Sequence, residues 1–122
     1  MDKQVVLGID IGGTNTVYGL ITRDGNVLYH ESIPTNGSLP VADLLNRLDS
    51  KAKEALSNLP EIEKIIGVGI GAPNGNHFTG MIQDPPNLSW GNVDVITLFS
   101  EIFNCDVDLT NDANAAALGE KH

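Results

Sequence analysis

Three short apolar segments open this chain with almost nothing between them, and that opening limits what it can fold into. Gln4 to Ile11 reads Gln-Val-Val-Leu-Gly-Ile-Asp-Ile, a short β-branched run typical of a buried strand. Gly12-Gly13-Thr14-Asn15 follows as a turn, and Thr16 to Thr22 reads as a second strand. Arg23-Asp24-Gly25-Asn26 is a hairpin signal, with Asp-Gly expected at a two-residue tip. Asn26 to Ile33 is then a third strand. Parallel neighbours need a crossover of a dozen or more residues, so strands joined this closely must run antiparallel. The chain is expected to begin as a meander.

The pattern changes after Pro34 to Pro40, which reads as loop. From Val41 to about Leu59, the apolar residues Leu44, Leu45, Leu48, Ala52, Ala55, Leu56 and Leu59 recur at helical spacing. Asp43, Arg47, Lys51 and Glu54 occupy the other face. Pro60 stops this helix. Ile65 to Ile70 is a buried strand, Gly71 to Asp84 a long Gly/Asn/Pro loop, and Asp94 to Phe103 a second helix. Asp106 to Thr110 alternates as a last strand, and Ala113 to Leu118 opens a third helix. The expected order is βββαβαβα. That order gives an α/β fold, a mixed five-stranded sheet flanked by helices, with right-handed crossovers parallel to the first strand.

Bulk properties narrow the partners. The 122 residues amount to one domain, and 41% hydrophobic with 19% charged residues is ordinary for a soluble globular protein. A formal charge of -9 with only seven Lys and Arg argues against nucleic acid and anionic membranes, which are bound by clustered cations. Phosphates remain accessible to such a domain, because backbone N–H groups and Mg²⁺ can meet them. A single cysteine, Cys105, forbids an internal disulfide and fits a reducing cytoplasm. The start of the chain lacks the apolar core of a signal peptide. The chain ends ten residues after Asp112, with its last helix barely begun, and is expected to be a fragment or a cut domain.

Four segments carry chemistry. Asp10-Ile11-Gly12-Gly13-Thr14-Asn15 sets a carboxylate at the end of a buried strand, just before two glycines and a hydroxyl. Glycines let a tight backbone present N–H groups to an oxyanion. Thr14 and Asn15 add side-chain donors, and Asp10 can hold Mg²⁺ against the same phosphates. The plain alternative is a hairpin turn; Asp10 weighs against it, because an acid on an apolar strand is costly without a partner. Gly67-Val68-Gly69-Ile70-Gly71-Ala72 has the glycine spacing of a dinucleotide fingerprint but leads into Pro73-Asn74-Gly75-Asn76, a loop rather than a helix. It reads instead as a strand allowing close packing, with Asn74 placed to bind a polyhydroxy ligand.

Thr110-Asn111-Asp112-Ala113-Asn114-Ala115 lies where a strand meets a helix. Asn111 or Asp112 is a good N-cap there. The functional reading, compatible with the first, has Asp112 accept a proton from an attacking hydroxyl while Asn111 orients the substrate. An ionised, weak base suffices for phosphoryl transfer, whose loose transition state needs positioning more than proton abstraction. In Pro85-Pro86-Asn87-Leu88-Ser89-Trp90, Asn87 is a candidate sugar contact, Trp90 reads as packing and Asp84 as a surface residue. His30, His77, His122 and Cys105 lie too far apart for a metal site.

In combination, Asp10-Ile11-Gly12-Gly13-Thr14, Gly69-Ile70-Gly71-Ala72-Pro73-Asn74, Pro86-Asn87-Leu88 with Trp90, and Asn111-Asp112-Ala113-Asn114 continuing to Glu120 resemble the ROK family of repressors, open reading frames and sugar kinases. The resemblance spans nearly the whole chain. It implies an actin-like, ribonuclease-H-like fold with ATP held between two lobes, of which residues 1–122 are the N-terminal one. It implies Asp112 as catalytic base, Asn111 and the Asn74 loop as sugar ligands, and Asp10, Gly12, Gly13, Thr14 and Asn15 as the site for the nucleotide phosphates and Mg²⁺. Many relatives carry a basic residue soon after Gly-Gly-Thr, where this chain has Asn15 to Val17, and many have Pro-Gly where it has Pro73-Asn74. The family's second half, with its Glu-x-Gly-His motif, zinc-binding cysteines and second phosphate loop, is missing from this sequence.

The expected activity is therefore ATP-dependent phosphorylation of a hexose, of glucokinase type, by a cytoplasmic, homodimeric full-length protein. Zinc is expected only in the missing part, and this chain alone is expected to be inactive. Kinases for fructose, allose or N-acetylated hexosamines are alternatives. A sugar-responsive repressor is another, although repressors carry a winged helix ahead of the Asp-Ile-Gly-Gly-Thr segment, where this sequence has nine residues before Asp10. A non-catalytic sugar-binding module is the third.

Overall fold

The apolar opening folds as its periodicity demands. In the computed structural model, which describes residues 4–62, 64–72, 75–76, 81–82 and 90–110, β1 (Gln4–Ile11), β2 (Asn15–Thr22) and β3 (Val27–Pro34) form the antiparallel meander. Helix α1 (Val41–Ser57) carries the chain across to β4 (Lys64–Gly71), which pairs parallel to β1. Helix α2 (Val95–Phe103) does the same between β4 and a last strand, Asp106–Thr110. The stretch expected as loop beyond Gly71 holds two-residue strands β5 (Gly75–Asn76) and β6 (Met81–Ile82). These pair with β7 (Val93–Asp94) into a second, small antiparallel sheet. Two-residue strands are too short to leave an alternating signal. The last strand is therefore β8, and the main sheet runs β3-β2-β1-β4-β8. The helix expected over Ala113 to Leu118 lies outside the described residues.

Alternation decides which face is core. Val5, Leu7, Ile9 and Ile11 of β1, Tyr18 and Leu20 of β2, and Val68 and Ile70 of β4 are buried in one cluster with Leu44, Leu45, Leu48, Ala52 and Ala55 of α1 and Val95 and Phe99 of α2. Each such large side chain contributes about 1.5–3 kcal/mol, so both helices are held to this face by burial. On the opposite face Gly8 pairs with Gly19 and with Gly69 across three neighbouring strands. Gly67, Gly69 and Gly71 thus lie inside a strand, as their rejection as a dinucleotide fingerprint requires. A Cβ on Gly19 would lie 2.9 Å from the Tyr29 carbonyl oxygen, so β2 and β3 approach as closely as they do because position 19 is bare.

The β2–β3 connection differs from the expected two-residue tip. The Gly25 N–H donates to the Thr22 carbonyl at 3.0 Å and the Thr22 N–H to the Asn26 carbonyl at 2.8 Å. Arg23-Asp24-Gly25 is thus a three-residue loop, with Gly25 at φ 96°. The glycine is used for its left-handed conformation as the third loop residue. Leu28 is an extra residue on β3, since Leu20 pairs with Tyr29 but Ile21 with Val27. On the core side of β3, the hydroxyl of Tyr18 donates to Glu31 Oε1 at 2.7 Å, which holds the Glu31 carboxyl below its usual range. None of the described helices is long and apolar enough to cross a membrane.

Asp94 begins α2 as a cap: its carboxylate accepts the Thr97 N–H at 3.1 Å and the Thr97 hydroxyl at 2.9 Å. Asn104 closes the helix in the left-handed region, donating its N–H to the Ser100 carbonyl at 2.8 Å. Asp94→Ala should cost about 0.5–2 kcal/mol, read as a lower urea midpoint with unchanged slope. A midpoint unmoved within error would mean that solvent replaces the cap.

Candidate functional site

Parallel strands that end side by side bring their following loops together. Asp10 of β1 pairs with Gly71 of β4, and Gly71 with Thr110 of β8. At about 4.8 Å per strand step, the line from Asp10 to Thr110 spans about 10 Å. In sheets of this kind ligands bind beyond the carboxyl ends of the strands. Each of the three strands leads directly into a segment singled out by sequence: Gly12 to Asn15 after β1, Pro73-Asn74 after β4, and Asn111-Asp112 after β8. Asn74, Asn87, Asn111 and Asp112 themselves lie outside the described residues, as does Asp84.

Asp10 is half-buried between Val17 and Gly71. Burial pushes its carboxyl above the usual range, and no described residue offers it a hydrogen bond or an opposite charge. This disfavours the ionised form in the folded chain, and a bound cation would reverse it.

The loop after β1 is tightly built. The Gly12 N–H donates to the Asn15 carbonyl at 3.0 Å. A Cβ on Gly12 would sit 2.7 Å from that same oxygen, so only glycine fits without moving the turn. Gly13 and Thr14 form the tip, and their N–H groups make no hydrogen bond to described residues. The side chains of Thr14 and Asn15 are exposed. Here a glycine-rich turn, with N–H groups at Gly13 and Thr14 that no described residue engages, stands next to an acid with no partner among the described residues. These groups fit an anion and its metal counter-ion by chemistry: bare N–H groups and hydroxyls for the first, a carboxylate for the second.

Sequence reasoning missed the residues behind the loop. The Thr35 hydroxyl donates to the Gly12 carbonyl at 2.7 Å and lies 2.7 Å from the Thr16 hydroxyl. With its one proton given to Gly12, Thr35 must accept from Thr16. The Thr35 N–H donates to the Thr14 carbonyl at 2.8 Å. Arg47, expected on the solvent face of α1, is half-buried and turns inward. It donates to the Pro34 carbonyl, to the Thr35 carbonyl at 2.8 Å, and to Asp43 at 2.9 Å. No local pattern announces contacts between residues 12, 16, 35 and 47. The helical period put Arg47 on the polar face, but only the fold sets that face against the end of β3.

Trp90 is packing, as its loop context predicts: it lies half-buried against the core and donates its indole N–H to the Leu39 carbonyl at 3.1 Å. Among the described residues, no three His, Cys, Asp or Glu side chains converge on one point.

The model of the ROK family matches residues 6–122. The chain belongs to the ROK family. Its relatives fall in two groups. It is 31% identical to a glucokinase of Halalkalibacterium halodurans over 98% of its own length and 37% of the glucokinase. It is 32% identical to a xylose repressor of Caldicellulosiruptor bescii over 98% of its length and 31% of the repressor. Among solved structures, it superposes on an inorganic polyphosphate/ATP-glucomannokinase from Arthrobacter with a TM-score of 0.72 and 28% identity, covering 92% of this chain and 46% of that one. The chain thus spans less than half the length of the relatives it matches. Its fold is the α/β, actin-like ATPase fold of the ROK kinases. Kinases and repressors of the family match it equally far along the sequence.

Proposed function

We propose that these residues form the N-terminal lobe of a longer, two-lobed sugar kinase that transfers the γ-phosphoryl group of ATP to a hexose hydroxyl. The observation that carries this reading is the shared end of β1, β4 and β8, where Asp10, Gly71 and Thr110 stand in register. From that edge the phosphate loop leaves one strand and the sugar-binding and catalytic segments leave the other two. The H. halodurans relative is a glucokinase, which supports glucose or a near analogue as acceptor.

In this reading, the N–H groups of Gly13 and Thr14 and the side chains of Thr14 and Asn15 bind the nucleotide phosphates, Gly12 gives the turn its tight shape, its own N–H closing onto the Asn15 carbonyl, and Asp10 holds the metal. Magnesium, when bound, neutralises charge on those phosphates. Asn74, Asn87 and Asn111 bind and orient the sugar. Asp112 accepts the proton of the attacking hydroxyl. Because the transition state is loose, the chain's main contribution is to align acceptor and donor.

A coupled ADP-release assay of the full-length protein with a panel of hexoses should give turnover with glucose or a close relative, and none for the 122-residue chain alone. No turnover with any sugar, together with sugar-dependent binding to a specific duplex, would transfer the reading to a repressor. The xylose repressor of C. bescii keeps that second reading in view. Against it stands the formal charge of -9 with only seven Lys and Arg, a balance that disfavours DNA contact by these residues.

A further inference from the structure

We infer that Thr35 is the positioning residue of the Gly12–Asn15 loop: it fixes the backbone whose N–H groups face the phosphates. The inference rests on the proposed role of that loop and adds a residue to it.

Thr35 is 1% exposed, and its N–H, hydroxyl and carbonyl make four hydrogen bonds. Two of them hold the loop: its N–H donates to the Thr14 carbonyl and its hydroxyl to the Gly12 carbonyl. The other two hold Thr35: its hydroxyl accepts from Thr16, which is fully buried, and its carbonyl accepts from Arg47. The carbonyls of residues 12 and 14 are thereby drawn back toward the end of β3. The C=O and N–H of one trans peptide point in opposite directions, so fixing the carbonyls of Gly12 and Thr14 orients the N–H groups of Gly13 and Asn15. Asn36, at φ 55°, turns the chain away immediately after Thr35, and Arg47 ties that turn to α1. The loop is therefore braced from α1 and β3, through a residue that is itself almost wholly buried.

Removing the hydroxyl leaves the half-buried Gly12 carbonyl and the buried Thr16 hydroxyl without their partner, a loss that loosens the loop while the strands stay paired. In the full-length protein, Thr35→Ala should raise KM for Mg·ATP about tenfold and leave KM for the sugar within twofold, and Thr35→Ser should restore the wild-type value. Amide hydrogen exchange of the peptide covering residues 11–16 should quicken in Thr35→Ala and return in Thr35→Ser. Unchanged exchange in that peptide would overturn the inference, whatever the kinetics. Quickened exchange with unchanged KM for ATP would uphold Thr35 as the brace and remove the phosphates from the loop, so the two failures are distinct. If Thr35→Ala does not fold, Thr16→Val takes its place with the same readouts. It loses only the outer hydrogen bond, should shift both in the same direction by less, and overturns the inference if exchange is unmoved.

Discussion

Asp112→Ala in the full-length protein should lower kcat for sugar phosphorylation by about 10²–10⁴-fold, the range that a positioned general base supplies. KM for Mg·ATP should change little, because the residue is assigned to the sugar hydroxyl and not to the nucleotide. Asp112→Asn is the sharper variant: it preserves size and hydrogen bonding to the sugar but cannot take up a proton. If Asp112 only capped a helix, asparagine would serve nearly as well, and kcat would stay within a few-fold. Steady-state kinetics on both variants, with melting curves to exclude unfolding, decide between base and cap. Full activity in Asp112→Asn would remove the residue from the chemistry.

Asp10→Asn should move two quantities in opposite directions. Apparent Mg²⁺ affinity in the kinase assay should fall on the order of 10²-fold, with sugar affinity unchanged. The metal-free protein should nevertheless become more stable. Burial raises the Asp10 carboxyl above its ordinary value, so the folded chain binds a proton more readily than the unfolded chain. That penalises the fold above the raised pKa and relents as pH falls through it. The variant carries no such penalty. Its gain in melting temperature should be full at pH 7 and shrink toward zero in acid below the raised pKa. A variant less stable than wild type at pH 7 without metal would show that Asp10 has a stabilising partner in the folded chain. Sites that trade stability for function show this pattern.

Most of the architecture was legible because it follows from local period. The meander required only short turns. Helix α1 followed from the spacing of Leu44, Leu45, Leu48, Ala52 and Ala55, all buried as expected, and β8 from the alternation of Asp106 to Thr110. Turn detail was less legible: Asp24-Gly25 announces a hairpin in either of two loop lengths, and only the hydrogen bonds of Thr22 distinguish them. Strands of two residues carry no period at all, so β5, β6 and β7 were invisible. In the candidate site, Asp10 to Asn15 could be read because it is contiguous. Thr35 and Arg47 could not, because their importance comes from contacts across more than ten residues of chain.

The two outer strands of the main sheet also determine what the molecule does not do. An unpaired strand edge invites another chain to add on. On one side β3 interrupts its own ladder, with Leu28 bulged and Pro34, which has no N–H to give, at its end. On the other side β8 alternates Asp106 and Asp108, both exposed, and a second copy laid alongside would bring like charges together. Val27 and Leu28 are 45% and 40% exposed, yet the bulge breaks the regular edge on which they stand. The sheet is irregular at one margin and acidic at the other, a pattern that disfavours the addition of another strand at either edge.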